Sequence, residues 1–371
     1  MTTANGHLTT TAQLLRDRHV QPDAVASLES VVERYALAIP PAMRALIDPS
    51  DPNDPIARQF VPDARELITK AEERLDPIGD HAHAPVPGIV HRYRNRALLK
   101  IVSTCPVYCR FCFRREMVGP KHGGTLDPAD LDGALHYVAA HPELEEVIVT
   151  GGDPLILSPR RLADLTRRLA AIGHVSKIRW HTRVPVVAPE MVTEERVRAL
   201  RTDNAFVRVA VHTNHARELT AQALAACHSL TSNGIRLLSQ TVLLRGVNDS
   251  AATLANLMQR CESAGIAPYY LHHGDLAPGT AHFRTSITRG QEIWNALCRR
   301  LPPDLVPTYV LDIPGGYGKV PLDSDHVQSL GDGSYAITDP YGQVHTYRDC
   351  LASEDPTTPQ RPPALCVPAS G

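Results

Sequence analysis

The chain has 371 residues, 43% hydrophobic and 21% charged, a balance that fits a soluble globular protein with a sizeable core and excludes a wholly disordered or fibrous one. Its 38 basic and 40 acidic residues leave a formal net charge of -2, so there is no bulk electrostatic case for nucleic acid or an anionic membrane as partner. No apolar run approaches the roughly 20 residues that span a bilayer, and the N-terminus lacks a basic segment followed by an apolar one, so a cytoplasmic protein is expected.

In chain order, residues 1 to about 10 are small and polar and read as disordered. Amphipathic helices are expected over Leu28–Leu37 and Ala64–Leu75. Between them Asp48–Ile56 carries three Asp-Pro steps and reads as an extended, turn-rich connector. From Arg96 the chain alternates strands and helices, the mark of a parallel sheet. Strands are expected at 97–102, 146–150, 177–182, 206–212, 236–244 and 268–272. Helices are expected at 127–140, 159–172, 194–201, 220–233, 251–264 and 289–300. Six βα units are too few to close an eight-stranded barrel, so the expected fold is α/β, an open six-stranded (β/α)6 partial TIM barrel. A further strand at 307–313 leads into Pro314-Gly-Gly-Tyr-Gly-Lys319, and runs at 334–338 and 343–347 flank Asp339-Pro-Tyr-Gly342 as a hairpin. The chain thus divides into an N-terminal helical region (1–90), the barrel (91–300), a lysine loop with C-terminal strands including the hairpin extension (301–350), and a proline-rich loose tail (351–371).

The densest chemistry lies on the loop leaving the first barrel strand, where Cys105, Cys109 and Cys112 follow the spacing Cys-x3-Cys-x2-Cys. Three sulfurs on one short loop can face a common centre. A structural zinc site would call for a second ligand pair, and none follows within the next forty residues. A disulfide would leave one thiol over. Ferredoxin-type iron-sulfur clusters use four cysteines. With three, one iron of a four-iron cluster keeps an open position for a small molecule. The other five cysteines (Cys227, Cys261, Cys298, Cys350, Cys366) have no framework spacing and fit reduced thiols in a reducing compartment.

Other strand ends also carry polar residues. Gly151-Gly-Asp-Pro154 is either an ordinary turn or a place where backbone approaches a ligand and Asp153 supplies charge. His181, Arg183, His212 and Gln240 lie at or near the next three strand ends, although a lone histidine is more often structural. His272 and His273 are adjacent on an extended segment, so they point to opposite faces and do not make a natural ligand pair. Asp275 reads instead as a single carboxylate reaching into the barrel, with Asp312 as a second. The loop before Lys319 has three glycines but not the P-loop spacing, which leaves Lys319 either solvated or offered as a reactive amine on a flexible loop.

The cysteine motif resembles the signature of radical S-adenosylmethionine enzymes, whose open iron chelates that cofactor. From about Ile39 to Tyr347 the chain resembles the lysine 2,3-aminomutase family, notably in 47–56, Pro85-Val-Pro-Gly88, His91-Arg-Tyr93, Arg183-Val-Pro-Val-Val187, 242–249, Pro268-Tyr-Tyr270, His282-Phe-Arg-Thr285 and Pro314-Gly-Gly316 with Lys319. The resemblance implies a 4Fe-4S cluster on Cys105, Cys109 and Cys112, and S-adenosylmethionine held by Gly151, Gly152 and Asp153, with His212 and Gln240 facing the cofactors. Lys319 would attach pyridoxal 5'-phosphate, Arg92 and Arg96 would bind its phosphate, and Arg114 the substrate carboxylate. Asp275 and Asp312 would hold a distal ammonium, which points to L-lysine ahead of arginine or ornithine. The implied reaction is a radical shift of the amino group from C2 to C3, giving β-lysine, as a free metabolite or for elongation factor P modification; Asp312 and Tyr317-Gly-Lys319 resemble the free-lysine branch. The resemblance also implies an electron donor such as flavodoxin or ferredoxin, and a homo-oligomer. The tail offers only Cys366, and Ser250 stands near a position where a further cysteine ligand would be expected, so no zinc site is expected.

Overall fold

A computed structural model describes residues 6–322 and 326–349, so the expected loose tail, Cys350 and Cys366 lie outside the described residues. One nine-stranded sheet follows sequence order from β1 to β9 without closing on itself. Its strands are β1 (Ile89–Tyr93), β2 (Arg96–Val102), β3 (Glu146–Gly151), β4 (Lys177–Thr182), β5 (Phe206–His212), β6 (Arg236–Val242), β7 (Ile266–His272), β8 (Thr308–Asp312) and β9 (Lys319–Pro321). From β2 to β8 every pairing is parallel, while β1 and β9 cap the two edges in antiparallel register. The six expected strands are β2 to β7, the further strand expected at 307–313 joins them as β8, and the architecture is the expected open partial barrel. The short antiparallel edge β1 carries no length or alternation strong enough to announce it in the sequence.

Helices at Pro128–Ala139, Pro159–Ala170, Glu194–Ala199, Ala221–Thr231, Ala251–Ser263 and Ile287–Cys298 cover β2 to β7 in turn. Each starts where a side-chain oxygen accepts a first-turn backbone N–H, from Asp127, Ser158, Thr193, Thr220, Ser250 and Ser286 respectively. Such caps contribute about 1 kcal/mol apiece and fix where each βα loop ends. Ser250 therefore has a structural task. In Pro159–Ala170 the buried positions Leu162, Leu165, Thr166 and Leu169 recur at helical spacing and turn one face to the sheet. β3 is buried along almost its whole length, as a parallel strand covered on both faces must be. The expected hairpin forms as β11 (Ser334–Thr338) and β12 (Val344–Arg348), joined by β10 (Val327–Gly331) into a separate three-stranded antiparallel sheet.

Three expectations for the N-terminal region change. Within the leader read as disordered, residues 6–10 are structured: Leu8 is buried and exchanges backbone hydrogen bonds of 2.9 and 3.0 Å with Ile39, and Thr10 caps the helix Thr11–Arg16. The Asp-Pro connector forms turns as far as Asp54, whose buried carboxylate then caps a helix over Pro55–Phe60. Proline is tolerated there because N1 needs no backbone donor.

The third change is larger. The helix expected over Ala64–Leu75 is only a 3-10 turn, Ala64–Leu67, followed by irregular chain. Its apolar residues do not face a core, since Ile68 and Leu75 are 55% and 64% exposed. Its carboxylates instead have distant partners. Glu66 is fully buried against Arg110 (2.6 Å) and Arg115, and Glu73 bonds Arg284 (2.6 Å) and the backbone N–H of Gly279 (3.2 Å). Burial opposes ionisation of Glu66, but the two guanidinium groups outweigh it and hold the carboxyl below its ordinary 4.5. Glu66→Ala leaves two arginines unpaired in the interior and is expected to destabilise the protein by about 3–5 kcal/mol at pH 7, measured by anaerobic denaturant unfolding. A depressed carboxylate adds stability above its ordinary pKa and loses it as pH falls through the depressed value, so the gap between Glu66→Ala and the wild type should narrow below about pH 4.

Candidate active site

The cysteine loop leaves β2 and folds into a series of turns, with Cys112 N–H donating to Cys109 O (3.2 Å) and Arg115 N–H to Cys112 O (3.3 Å). Its outer side is tied to the N-terminal region through Arg110 N–H to Gln59 O (2.9 Å), Tyr108 N–H to Ala38 O (3.2 Å) and the Glu66 ion pairs. Arg110 and Arg115 point into that tie, whereas Arg114 points the other way, toward the barrel interior. Cys105, Cys109 and Cys112 are free and face the same interior. Burial pushes all three thiols up, Cys112 to about 11, so any metal they bind displaces protons. Among the described residues no three His, Cys, Asp or Glu side chains converge on a single ion. A polynuclear cluster does not require that, since each thiolate bonds a different iron. Arg183 donates to Cys109 Sγ (2.8 Å), Gln59 (2.7 Å) and Glu218 (2.6 Å), so a cationic hydrogen-bond donor stands directly behind that sulfur.

Every site residue expected from the sequence lines one cavity of about 260 Å³, which runs through the barrel interior from Arg96 at the start of β2 to the loops at the C-terminal ends of the parallel strands, where such folds keep their ligands. The parallel register sets His212 beside Gln240 on β5 and β6. Gly151 and Gly152 do approach backbone closely, but that of the cysteine loop. A Cβ on Gly151, whose φ is +118, would lie 2.3 Å from Val102 O, and one on Gly152 would lie 2.3 Å from Thr104 O. Asp153 is buried and accepts from Thr182 Oγ1 (2.6 Å) and the backbone N–H groups of Arg183 (2.7 Å) and Leu155 (3.1 Å); burial raises its pKa against these bonds. The Gly-Gly-Asp turn therefore braces both the cysteine loop and the Arg183 segment.

Lys319 is not on a flexible loop. It opens β9, and the antiparallel register pairs it with Asp312 on β8. Cross-strand neighbours meet, and the Lys319 ammonium donates to Asp312 Oδ2 and lies 3.2 Å from His272 Nδ1. The glycines before it serve packing: a Cβ on Gly79, at φ +68, would come within 2.4 Å of Gly315 C and Gly316 N, so the two turns interlock. His273 turns away and bonds Tyr309 Oη (2.7 Å), as alternation requires. Burial and then Lys319 lower the His272 pKa to about 4, which makes its ring neutral. Burial and the neighbouring Asp312 charge raise Asp275 to about 7, while Asp312 is held low, against burial, by Lys319 and His272.

Sequence reasoning missed Asp80, a fully buried carboxylate facing Arg92 (3.2 Å), Arg114 (3.4 Å) and Lys100 (3.6 Å). Nothing in its irregular stretch carries a periodic signal. It also missed His272 as the neighbour of Lys319, and Arg179, bonded to Glu146 (2.8 Å) and Tyr269 (2.9 Å) at the cavity wall. The cavity contains buried polar atoms without partners among the described residues: Nε2 of His181, His212 and His272, and Nε of Arg92. Such atoms are costly unless a ligand satisfies them, so the residues present fit polar, anionic cofactors.

The profile of the Radical SAM superfamily matches residues 99–258, which spans the cysteine loop and the first strands of the barrel. L-lysine 2,3-aminomutase from Clostridium subterminale is 36% identical over 318 residues, covering 86% of this chain and 76% of that one. The Escherichia coli protein of the same name is 38% identical over 294 residues, covering 79% and 85%. A solved radical SAM methyltransferase from Sphaerobacter thermophilus aligns at a TM-score of 0.43 with 21% identity, over 60% of this chain and 68% of that one. The superfamily match and the curated relatives make this a radical SAM enzyme, a class built on a 4Fe-4S cluster and S-adenosylmethionine. More narrowly, the chain belongs to the lysine 2,3-aminomutase family of isomerases.

Because the Gly152 position abuts Thr104, Gly152→Ala should displace the cysteine loop. Overpacking of this kind costs about 1–3 kcal/mol. The expected result is a folded protein that retains well under half the wild-type iron and sulfide after anaerobic reconstitution.

Proposed function

We propose that the protein is a pyridoxal phosphate-dependent aminomutase that moves the amino group of L-lysine from C2 to C3, giving β-lysine. The observation that carries this reading is the meeting, in one cavity, of three thiols, two carboxylates and the Asp312-paired Lys319. When bound, the cluster and S-adenosylmethionine supply a radical that abstracts hydrogen, and pyridoxal phosphate supplies the carbonyl carbon to which the migrating nitrogen is attached.

The protein's own groups bind and orient. Cys105, Cys109 and Cys112 hold the cluster; Gly151, Gly152 and Asp153 shape the S-adenosylmethionine site, with His212 and Gln240 beside it. Lys319 attaches the pyridoxal cofactor, and the proton its amine must shed lies within reach of Asp312 and of the neutral His272 Nδ1 at 3.2 Å. Arg92 and Arg96 receive the phosphate, since a guanidinium fork bonds two anionic oxygens at once. Arg114 takes the substrate carboxylate, and Asp275 with Asp312 takes the distal ammonium. Two carboxylates around one cation repel an acidic side chain and select a basic one. Apolar Phe111, Val242 and Leu244 line the same cavity and limit water near a reactive radical. Electrons come from a carrier such as flavodoxin or ferredoxin. The cytoplasm suits the free thiols and the lack, among the described residues, of any helix long and apolar enough to cross a membrane. A homo-oligomer rests on the family resemblance alone.

The test is an anaerobic assay of reconstituted protein with S-adenosylmethionine, reductant and L-lysine, scoring β-lysine; turnover of glutamate and not lysine would refute the two-aspartate argument. Asp312→Ala should cut lysine turnover at least a hundredfold while iron content stays normal. The pH dependence follows from Asp275. With its pKa raised to about 7, it is protonated below that pH and cannot pair with an ammonium. KM for lysine should therefore rise as pH falls from 8 to 6, and Asp275→Asn should flatten that dependence at a uniformly higher KM.

A further inference from the structure

We propose that Asp80 is a positioning residue for the reacting amino acid: its carboxylate orients Arg114 and Arg92 together, setting where the substrate carboxylate and the cofactor phosphate are held relative to each other. This rests on the roles given above to those two arginines. Asp80 touches neither ligand in that scheme and acts through them.

Asp80 sits in a turn with little freedom. Its backbone N–H donates to Asp76 Oδ1 (2.9 Å), and that of His81 donates to Asp76 Oδ2 (2.8 Å). The preceding Gly79 interlocks with Gly315 and Gly316, so the turn that carries Asp80 is keyed to the loop that leads to Lys319. From this fixed point the two carboxylate oxygens divide their work. Oδ1 faces Arg92 Nη2 (3.2 Å), which also donates to Ile78 O (2.6 Å); Arg92 Nη1 lies 4.0 Å from Asp312, and its Nε has no partner among the described residues. Oδ2 faces Arg114 Nε and Nη2 (both 3.4 Å) and Lys100 Nζ (3.6 Å), while Arg114 Nη1 reaches Thr150 Oγ1 (3.4 Å).

Two features separate orientation from mere neutralisation. Three cations surround this one carboxylate, so positive charge remains for incoming anions. The Arg114 contacts at 3.4 Å are also long for charge-assisted bonds, which usually lie near 2.7–2.9 Å. Arg114 is steered by Asp80 but not saturated by it.

The test uses reconstituted holoenzyme and two ligands, L-lysine and L-lysinamide, which differ in the anionic carboxylate. Binding is read from the change in visible absorbance of bound pyridoxal phosphate. Wild type should prefer lysine; Asp80→Asn should lower that preference about tenfold and weaken pyridoxal phosphate binding several-fold, with iron content unchanged. Asp80→Glu keeps the charge but moves it by one methylene, and it too should lower the preference. A role limited to neutralising buried arginines predicts that Asp80→Glu behaves as wild type, and that result, or an undiminished preference in a folded Asp80→Asn, overturns the inference. Loss of iron in both variants would make Asp80 structural and also overturns it. A wild type that does not prefer lysine over lysinamide refutes the Arg114 assignment itself and this inference with it, so the two failures are distinguishable.

Discussion

The site depends first on one buried carboxylate outside it. Glu66 holds Arg110 and Arg115 of the cysteine loop, and Arg115 also lies 3.5 Å over the Tyr35 ring. Charges this deep are tolerable only when each is paired and hydrogen-bonded, so the loop, the turn Ala64–Leu67 and Tyr35, which ends the helix Val25–Arg34 inside the span expected at Leu28–Leu37, must assemble together. Consecutive side chains then do opposite jobs. With Arg115 drawn outward, the turn geometry leaves Arg114 to face the cavity, and three thiols are presented by a segment that has few regular hydrogen bonds of its own.

A second buried network backs the first from the other side. Glu218 accepts from Arg183, Gln59 and the backbone N–H groups of Asn214 and His215, and Arg183 in turn donates to Cys109 Sγ. The loop is therefore held between an N-terminal brace and the ends of β4 and β5. Low dielectric strengthens each such bond and raises the cost of a missing partner. The spacing of the cysteines alone does not make the site; two acidic anchors from distant parts of the chain set its shape.

That distinction explains what the sequence revealed. The barrel was legible because β2 to β7 and their helices carry strong periodicity and side-chain caps, and both are local signals. The thiols and the Gly-Gly-Asp turn were legible as local patterns, and Lys319, Arg92, Arg96, Arg114, His212, Gln240 and the two aspartates were legible through family resemblance. The helix expected at Ala64–Leu75 misled because its apolar and acidic residues alternate plausibly, yet the acids are spent on arginines more than forty and two hundred positions away. Asp80 was invisible for the same reason. A buried ion cluster is a tertiary fact, with no spacing rule to betray it.

The open sheet has a final consequence. Arg92 belongs to the edge strand β1, while Asp312 and Lys319 belong to β8 and β9 at the opposite edge, yet Arg92 Nη1 and Asp312 Oδ1 are only 4.0 Å apart. Among the described residues no backbone ladder joins these edges. The seam is bridged by side chains and by the interlocked Gly79 and Gly315–Gly316 turns. A ligand that engaged Arg92 at one end and Asp312 or Lys319 at the other would act as a rivet across the gap, doing for an unclosed barrel what a closing strand pairing does for a closed one.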